Sequence, residues 1–555
     1  MGWYMRKGLK CSAAVIAMAV AMNQAPAQIR SDRTDPALVT RSLPLPSEQN
    51  RPAETEVQPQ AAPGDAVHVG VASTTPVTAI TVTGSNLPPS LFEAVTRPYR
   101  GRSLQTADLT ALAGAVAGVA RAHGLVFASA AILPQPLANG TLTVSLDEGR
   151  VDAVRSLGVS SPAADRLLSM LVTHAGVTRA ELERTLLLVG DLPGVTVVNA
   201  RYARENGFGV LLVTIAFAKT TLYAQLDNRG TDEIGPWRAT ELASIRTLAI
   251  AGDELSLIAS QTPFQPREFQ FFSGQYALPV GKTGDRVSAS AFYGATRAGA
   301  DLGYLDLTGK TYGAAIGYSA TLQRTKAASF WLDLDLHTIR NQQNIRGTRF
   351  RDDSLTVLSA TLRTAAQWGG GAFRGGVTTS FGLPMFGATR AGDPRASRDD
   401  GDARFVTESV QADWTRNVAG PLSLQLASAA QIASRPLLAT AEMSLGGPLF
   451  GRAYDYSERT GDEGIAGSAE ARLDLRAITR RFLSQAQAYA FIDGGTVSNL
   501  ADGPGGGSLA SSGGGVRVGM GRLNGAVEVA FPLTSNRFDT GDRTPRVSTR
   551  MFVAF

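Results

Sequence analysis

From about residue 221 to residue 555 the chain alternates between apolar and polar positions. In LYAQLDN (222–228), Leu222, Ala224 and Leu226 fall on one side and Tyr223, Gln225 and Asp227 on the other. In WLDLDLH (331–337), Leu332, Leu334 and Leu336 alternate with Asp333, Asp335 and His337. Successive side chains of a strand point to opposite faces, so each stretch predicts a strand with one greasy and one wet side. A soluble sandwich carries such strands too. The balance moves to an outer-membrane barrel on four features: an export leader, no cysteine after it, strand texture with no helical interruption, and the ending RMFVAF. Met551, Val553 and the terminal Phe555 lie on one face of that ending. A membrane-spanning strand needs about 9–11 residues, and closure leaves no edge unpaired in lipid. At about 21 residues per strand and connection, the segment 219–555 predicts about 16 strands.

Upstream the pattern changes. Residues 77–150 and 151–218 each read as strand, two helical segments, then two strands. The first unit has VTAITVTG (77–84), PSLFEAVT (89–96), a helix over 106–123, FASAAIL (127–133) and TLTVSLDEG (141–149). The second has VDAVRSLGV (151–159), helices over 163–172 and 179–189, VTVVNARYA (195–203) and VLLVTIAFA (210–218). Each βααββ unit is large enough for a small sheet covered by helices. The fold class is therefore mainly β, a C-terminal transmembrane barrel preceded by two βααββ domains. Residues 28–76, with Pro44, Pro46, Pro52, Pro59 and Pro63, read as a linker. A short helical turn over 35–41 is the one element expected in it, opened by Asp35-Pro36. Residues 1–27 read as a secretory signal, with Arg6, Lys7 and Lys10 before an apolar run and Ala25-Pro26-Ala27 as the cleavage site.

Composition narrows the chemistry. The single cysteine, Cys11, lies within the leader, which excludes disulfides and thiol chemistry from the exported chain. The formal net charge is +5 over 555 residues, with basic residues scattered, so nucleic acid is not an expected partner. His68, His123, His174 and His337 are dispersed without metal-ligand spacing. Asp333 and Asp335 suit a polar barrel wall better than acid/base work. The reading is a non-enzyme: no catalytic residue, no metal and no cofactor.

The segment GLVFASAAILPQPLANGTLTVSLDEGRV (124–151) resembles the end of the first POTRA domain of two-partner secretion transporters, the haemolysin and filamentous-haemagglutinin secretion family. Gly124, Pro134, Gln135, Gly140, Leu142, Glu148 and Gly149 stand at the family's positions. DLPGV (191–195) resembles the turn of the second POTRA domain. DNRGTDEIGPWR (227–238), with Asp227, Asn228, Gly230 and Gly235, resembles the motif that opens the barrel. The resemblance implies a Gram-negative outer-membrane location with the POTRA domains in the periplasm. It implies two protein partners: a secreted exoprotein taken up by those domains, and the barrel assembly machinery, met through the strand ending at Phe555. Outer-membrane lipid would surround the barrel.

It also gives meaning to GGPLFGRAYDYSERTGDEG (446–464). In the family the sixth extracellular loop folds into the barrel with a Val-Arg-Gly-Tyr or Val-Arg-Gly-Phe tetrad. Here Gly451, Arg452, Ala453 and Tyr454 match it, with Gly451 for Val and Ala453 for Gly, followed by Gly461, Asp462, Gly464 and Glu470. Ala453 reaches positive φ less readily than glycine, so the turn is expected to differ there. In QAQAYAFIDGG (485–495), Gln485, Gln487, Tyr489, Phe491 and Asp493 form the face suited to a lumen. The resemblance implies that the loop arginine docks on an aspartate of this strand, which matches Phe491-x-Asp493-Gly494. An Arg452–Asp493 ion pair is expected, with Phe491 and Tyr454 packed beside it. Glu470, Arg472 and Asp474 read as lumen lining, and the glycine run GPGGGSLASSGGG (503–515) as a flexible loop. The function implied is capture and secretion of an unfolded protein; the alternative in the same superfamily is insertion of other barrels into the membrane.

Overall fold

The computed structural model describes residues 34–36 and 75–555, apart from 138, 206, 480–482, 502 and 504. The leader, Cys11 and most of the linker lie outside the described residues. The first N-terminal sheet has strands β1 (Ala79–Thr83), β2 (Ser129–Ala131) and β3 (Thr141–Asp147) in the order β1-β3-β2. Helix α1 (Thr106–Ala122) starts on a capping box, in which Gln105 and Asp108 exchange side-chain and backbone contacts. It buries Leu109, Leu112, Ala113, Val116, Ala117 and Ala120 with Leu142, Val144 and Leu146 of β3. The second sheet has β4 (Ala153–Gly158), β5 (Val195–Glu205) and β6 (Phe208–Phe217) in the order β4-β6-β5, under α2 (Pro162–Leu168) and α3 (Arg179–Gly190). A second capping box, Thr178 with Glu181, opens α3.

β2 is shorter than the expected 127–133. Phe127 leaves the strand to stack on Tyr202 of the second domain, with ring centroids 4.3 Å apart and planes 9° from parallel, and Pro134 follows at the other end. Arg179 N–H also donates to Gly124 O at 2.8 Å, so the two domains share a packed junction. Burial pushes the Tyr202 hydroxyl pKa up to about 12, with the Asp152 charge adding to it.

The remaining chain closes a barrel of 16 antiparallel strands. They are β7 (Thr220–Asp227), β8 (Arg238–Arg246), β9 (Glu254–Gln261), β10 (Phe269–Val280), β11 (Asp285–Arg297), β12 (Leu307–Arg324), β13 (Ala328–Ile345), β14 (Thr348–Trp368), β15 (Gly371–Leu383), β16 (Val406–Ala419) and β17 (Leu422–Ala433). A separate ribbon of β18 (Met443–Leu445) and β19 (Arg459–Gly461) interrupts the series. The barrel resumes with β20 (Glu463–Asp474), β21 (Gln485–Ser498), β22 (Gly507–Met520), β23 (Leu523–Pro532) and β24 (Arg546–Ala554), and β24 pairs with β7. One short helical turn, Arg476–Thr479, joins β20 to β21. Exposed Leu334, Leu336, Ile316, Leu362 and Val377 make the outer wall apolar, as a lipid-facing wall requires. No helix among the described residues is long and apolar enough to cross a membrane.

The glycine run departs from the expectation of a loop. Residues from Gly507 onward form β22, and Gly513, Gly514 and Gly515 pair with Phe491, Ala490 and Tyr489 of β21. At one end of the barrel, the domain end, Arg324 Nε and Nη2 donate to the two Asp191 carboxylate oxygens at 2.7 and 2.8 Å. Lys326 N–H there donates to Glu183 at 2.7 Å. In the N-terminal segment, Thr34 O accepts from Thr296 Oγ1 at 2.7 Å, Asp35 accepts from Asn341 and Pro36 is helical. The rest of the expected turn lies outside the described residues.

Candidate functional site

Residues 434–462 form the sixth connection at the far end of the barrel. The β18–β19 ribbon lies against β20, β21 and β22, and beyond Leu445 the chain reverses through Gly446 and Gly447, with φ of 102° and 94°. Gly451, with φ of 85°, then turns the tetrad against the inner wall. The N–H groups of Gly451 and Arg452 donate to Asp493 Oδ1 at 2.9 and 3.3 Å, and Ser511 Oγ donates to the same oxygen. Arg452 Nη1 donates to Glu470 Oε2 at 2.7 Å and to Glu528 Oε2 at 3.3 Å. Its Nε lies 3.1 Å from Asp493 Oδ2, an electrostatic contact without hydrogen-bond alignment. The guanidinium carbon sits 4.1 Å above the Phe491 ring.

Asp493 and Arg452 therefore meet as the expected ion pair, and two further carboxylates share the cation in a divided arrangement. Asp493 holds the loop backbone, while Glu470 and Glu528 take the charged head. Glu470 also accepts from Arg472 Nε at 2.6 Å and Arg517 Nη1 at 2.8 Å. Glu528 accepts from Tyr489 Oη at 2.9 Å and from Arg229. Arg452 is 8% exposed, and Glu470, Asp493 and Glu528 are 1%, 4% and 6% exposed. Removing one member of such a network leaves another charge buried without its counterion, typically at about 3–5 kcal/mol.

The glycines of β22 make room for this cluster. A Cβ at Gly513 would lie 2.8 Å from Phe491 Cζ, and one at Gly515 would lie 2.7 Å from the Tyr489 hydroxyl. The two rings lie across bare backbone, with Arg452 over Phe491 and Arg517 3.8 Å over Tyr489. Tyr454 is fully buried, and its hydroxyl lies between two acceptors for its one proton, Ala510 O at 3.2 Å and Ser535 O at 3.1 Å.

The remaining motif residues stand elsewhere. Asp462 ties three far-end segments together, accepting from Arg398 Nη1 at 2.8 Å, Leu437 N–H at 2.7 Å and Leu500 N–H at 2.8 Å. Gly461 ends β19, while Gly464 and Gly494 lie in β20 and β21. In the first N-terminal domain, the Gln135 carboxamide pairs with both N–H and C=O of Thr143 at 2.8 Å. Glu148 accepts from Ser85 Oγ and Asn86 N–H at 3.0 and 2.6 Å. Gly140 and Gly149 take positive φ in the connections flanking β3, and Pro134 follows β2. Asp227 ends β7, and Asn228, Gly230 and Gly235 shape the β7–β8 connection. Phe555 exchanges backbone hydrogen bonds with Leu222. Sequence reasoning missed Glu528, Arg517, Arg229 and Ser511 as members of the cluster. For Glu528 the available signal was one carboxylate on the inward face of AVEVAF, between Val527 and Val529.

Residues 216–518, more than half of the chain, match the family model for haemolysin secretion/activation protein ShlB/FhaC/HecB. Residues 75–149 match the ShlB-type POTRA domain. A 169-residue stretch is 28% identical to the heme/hemopexin transporter protein HuxB of Haemophilus influenzae, covering 29% of this chain and 30% of that protein. Among solved structures, CdiB from Escherichia coli superposes with a TM-score of 0.68 at 20% identity, over 96% of this chain and 98% of that one. CdiB from Acinetobacter baumannii gives 0.64 at 17% identity, over 96% and 99%. BamA from Haemophilus ducreyi, lacking its POTRA domains 1–3, gives 0.53 at 12% identity, over 87% and 100%. These likenesses show a shared fold, and the family match by itself places the chain: it belongs to the haemolysin secretion/activation family of two-partner secretion outer-membrane transporters.

Proposed function

We propose that the two N-terminal domains lie in the periplasm, take hold of an unfolded exoprotein and pass it through the barrel to the cell exterior. The observation that carries this reading is the inward loop: a long connection is folded into a closed barrel and held by one arginine on a set of buried carboxylates. A plain porin would have no use for the two N-terminal βααββ domains that precede the barrel. Capture by strand addition suits the N-terminal sheets, whose edges are β1 and β2 in one and β4 and β5 in the other; main-chain pairing then supplies affinity with loose sequence demands. Folding of the exported chain outside would give direction. Lipid would surround the apolar wall, and the strand ending at Phe555 would be the handle for barrel assembly.

The test compares proteins in the culture medium of a deletion strain complemented with the wild-type chain or with Arg452→Ala. Deletion should remove a secreted protein from the medium. Arg452→Ala should lower its release at least about tenfold, with the barrel still assembled, because the carboxylates lose their cation. An unchanged set of secreted proteins, together with accumulation of unassembled outer-membrane barrels, would overturn this reading in favour of an insertase.

A further inference from the structure

The connection between β15 and β16, residues 384–405, also folds inward at the far end. On β14, Leu358 and Leu362 are exposed on the outer wall, whereas Ser359 and Thr361 share hydrogen bonds with Ser380 and Thr378 of β15. Asp353, Leu355 and Val357 are in step with Ser359 and Thr361 and so face the lumen with them. Leu355 and Val357 are buried there beside Ile339 of β13. What covers them is Ala403 and Phe405 of the β15–β16 connection, with Leu437 and Leu438 of the sixth connection. An apolar step on the lumen wall is thus roofed by two loops.

Polar contacts stretch the first of these loops across the mouth. At the top of β14, Asp352 N–H donates to Arg395 O at 2.8 Å and Ser397 N–H donates to Asp353 Oδ1 at 2.9 Å. Arg398, the next residue, donates to Asp462 Oδ2 at 2.8 Å and to Leu500 O, just beyond β21, at 2.6 Å. In the wall, β15, β16, β17 and β20 stand between β14 and β21, which makes five strand spacings or about 24 Å. Residues 395–398 span at most about 14 Å. The strap is therefore a chord across the mouth and not a rim that follows it. Ala439 N–H of the sixth connection donates to Ser397 Oγ at 3.0 Å.

We propose that residues 384–405 are an exit lid: a strap latched by Arg398 on Asp462 and seated on the apolar step, which must lift before a chain can leave by the far end. From Arg390 to Asp402 the strap is rich in charge and holds no large apolar side chain, so water receives this part readily once it is lifted. It is seated by the small contact of Ala403 and Phe405 and by the latch, in which buried Arg398 neutralises buried Asp462 and lies 3.5 Å from buried Glu442. The part of the lid in export rests on the reading above; its closure over the lumen wall does not.

The test uses the purified full chain in lipid nanodiscs with Val357→Cys, whose thiol lies under the strap; Cys11, the only other cysteine, belongs to the expected leader. Alkylation by a membrane-impermeant maleimide should be slow in this background. Adding Arg398→Ala should speed it at least about tenfold, the loss expected when a buried charge link is cut. Arg476→Gln, in the turn at the domain end, should leave the rate unchanged. Replacing residues 390–402 with a short glycine-serine linker removes the strap and should reproduce the faster labelling if Arg398→Ala yields no folded barrel. Slow labelling in the Arg398 or linker variant, or equal acceleration by Arg476→Gln, would overturn the proposal. In cells, Ser397→Cys with Ala439→Cys ties the strap to the sixth connection; oxidation should stop release of the secreted protein and a reductant should restore it. Wild-type release through a tied strap would defeat the lid's part in export. A wild-type chain that releases nothing, with Val357→Cys still shielded by the latch, defeats the transport reading alone.

Discussion

Gly451 takes the left-handed conformation on which the tetrad turns, with φ of 85°. Ala453, where difficulty was expected, keeps an ordinary negative φ and is fully buried. The sharp turn thus falls one residue before Arg452, and the substitution relative to the family pattern sits where glycine is needed. An L-residue held there costs about 1–2 kcal/mol, and a β-branched one is the least tolerant. Gly451→Val, although it restores the family's residue, should therefore weaken loop docking in this chain. The measurement is limited proteolysis of residues 446–458 in the purified protein: cleavage should rise by roughly 5–30-fold, the population change matching that cost. Gly451→Ala should fall between the two. Unaltered cleavage in the valine variant would mean that the turn can be made another way.

At the scale of elements, β22 is a strand whose sequence reads as a linker. Alternation made most of the barrel legible, because one wall of each strand meets lipid and the other meets a polar lumen. A run such as Gly513-Gly514-Gly515 carries no side chains to alternate, and the rings that need its bare surface come from β21. Arg452, Asp493 and Tyr454 were legible from motif resemblance. Glu528 lies 76 residues from Arg452, and Arg229 lies 299 residues from Glu528, so only closure of the barrel brings them together. Gly513→Ala should destabilise the barrel by about 1–3 kcal/mol through overpacking against the Val529 backbone oxygen and the Phe491 ring, seen as a lower temperature for loss of heat-modifiable mobility. The β8–β9 turn makes a separate prediction. Asp253 accepts from the N–H groups of Leu248, Ala249 and Ile250 at 2.7, 2.9 and 2.7 Å and from Tyr276 Oη at 2.6 Å. Burial raises its pKa, but these donors prevail and bring it from 3.8 to about 2. A carboxylate held low stabilises the fold above its ordinary pKa, and that stability is lost as pH falls through about 2. Turn amides, corrected for intrinsic exchange, should lose protection between about pH 4 and about pH 2, and Asp253→Asn should abolish that dependence.

For the whole molecule, the question is what seats the second N-terminal domain on the barrel. Asp191, the first residue of the DLPGV turn, stands at the end of α3 and receives both prongs of Arg324 from the end of β12. Arg324 also lies 5.6 Å over the Trp331 ring, and Ala251 of the β8–β9 turn packs on the domain's core. The ion pair is partly open to solvent, with side chains 20% and 35% exposed, so it contributes at most about 1 kcal/mol. An interaction of that size biases orientation without locking it. Deleting the carboxylate should do little, whereas reversing it adds repulsion of similar size and should unseat the domain. Spin labels at Leu157→Cys in β4 and Val418→Cys in β16 report the angle between the two bodies. Asp191→Arg should broaden their distance distribution, and combining it with Arg324→Asp should narrow it again. The rescue separates electrostatic seating from a local fault in the DLPGV turn, because the second substitution lies on the barrel. If Asp191→Arg leaves the distribution as narrow as in the wild type, apolar contacts such as that of Ala251 hold the seat. The domain would then swing only when those contacts are broken.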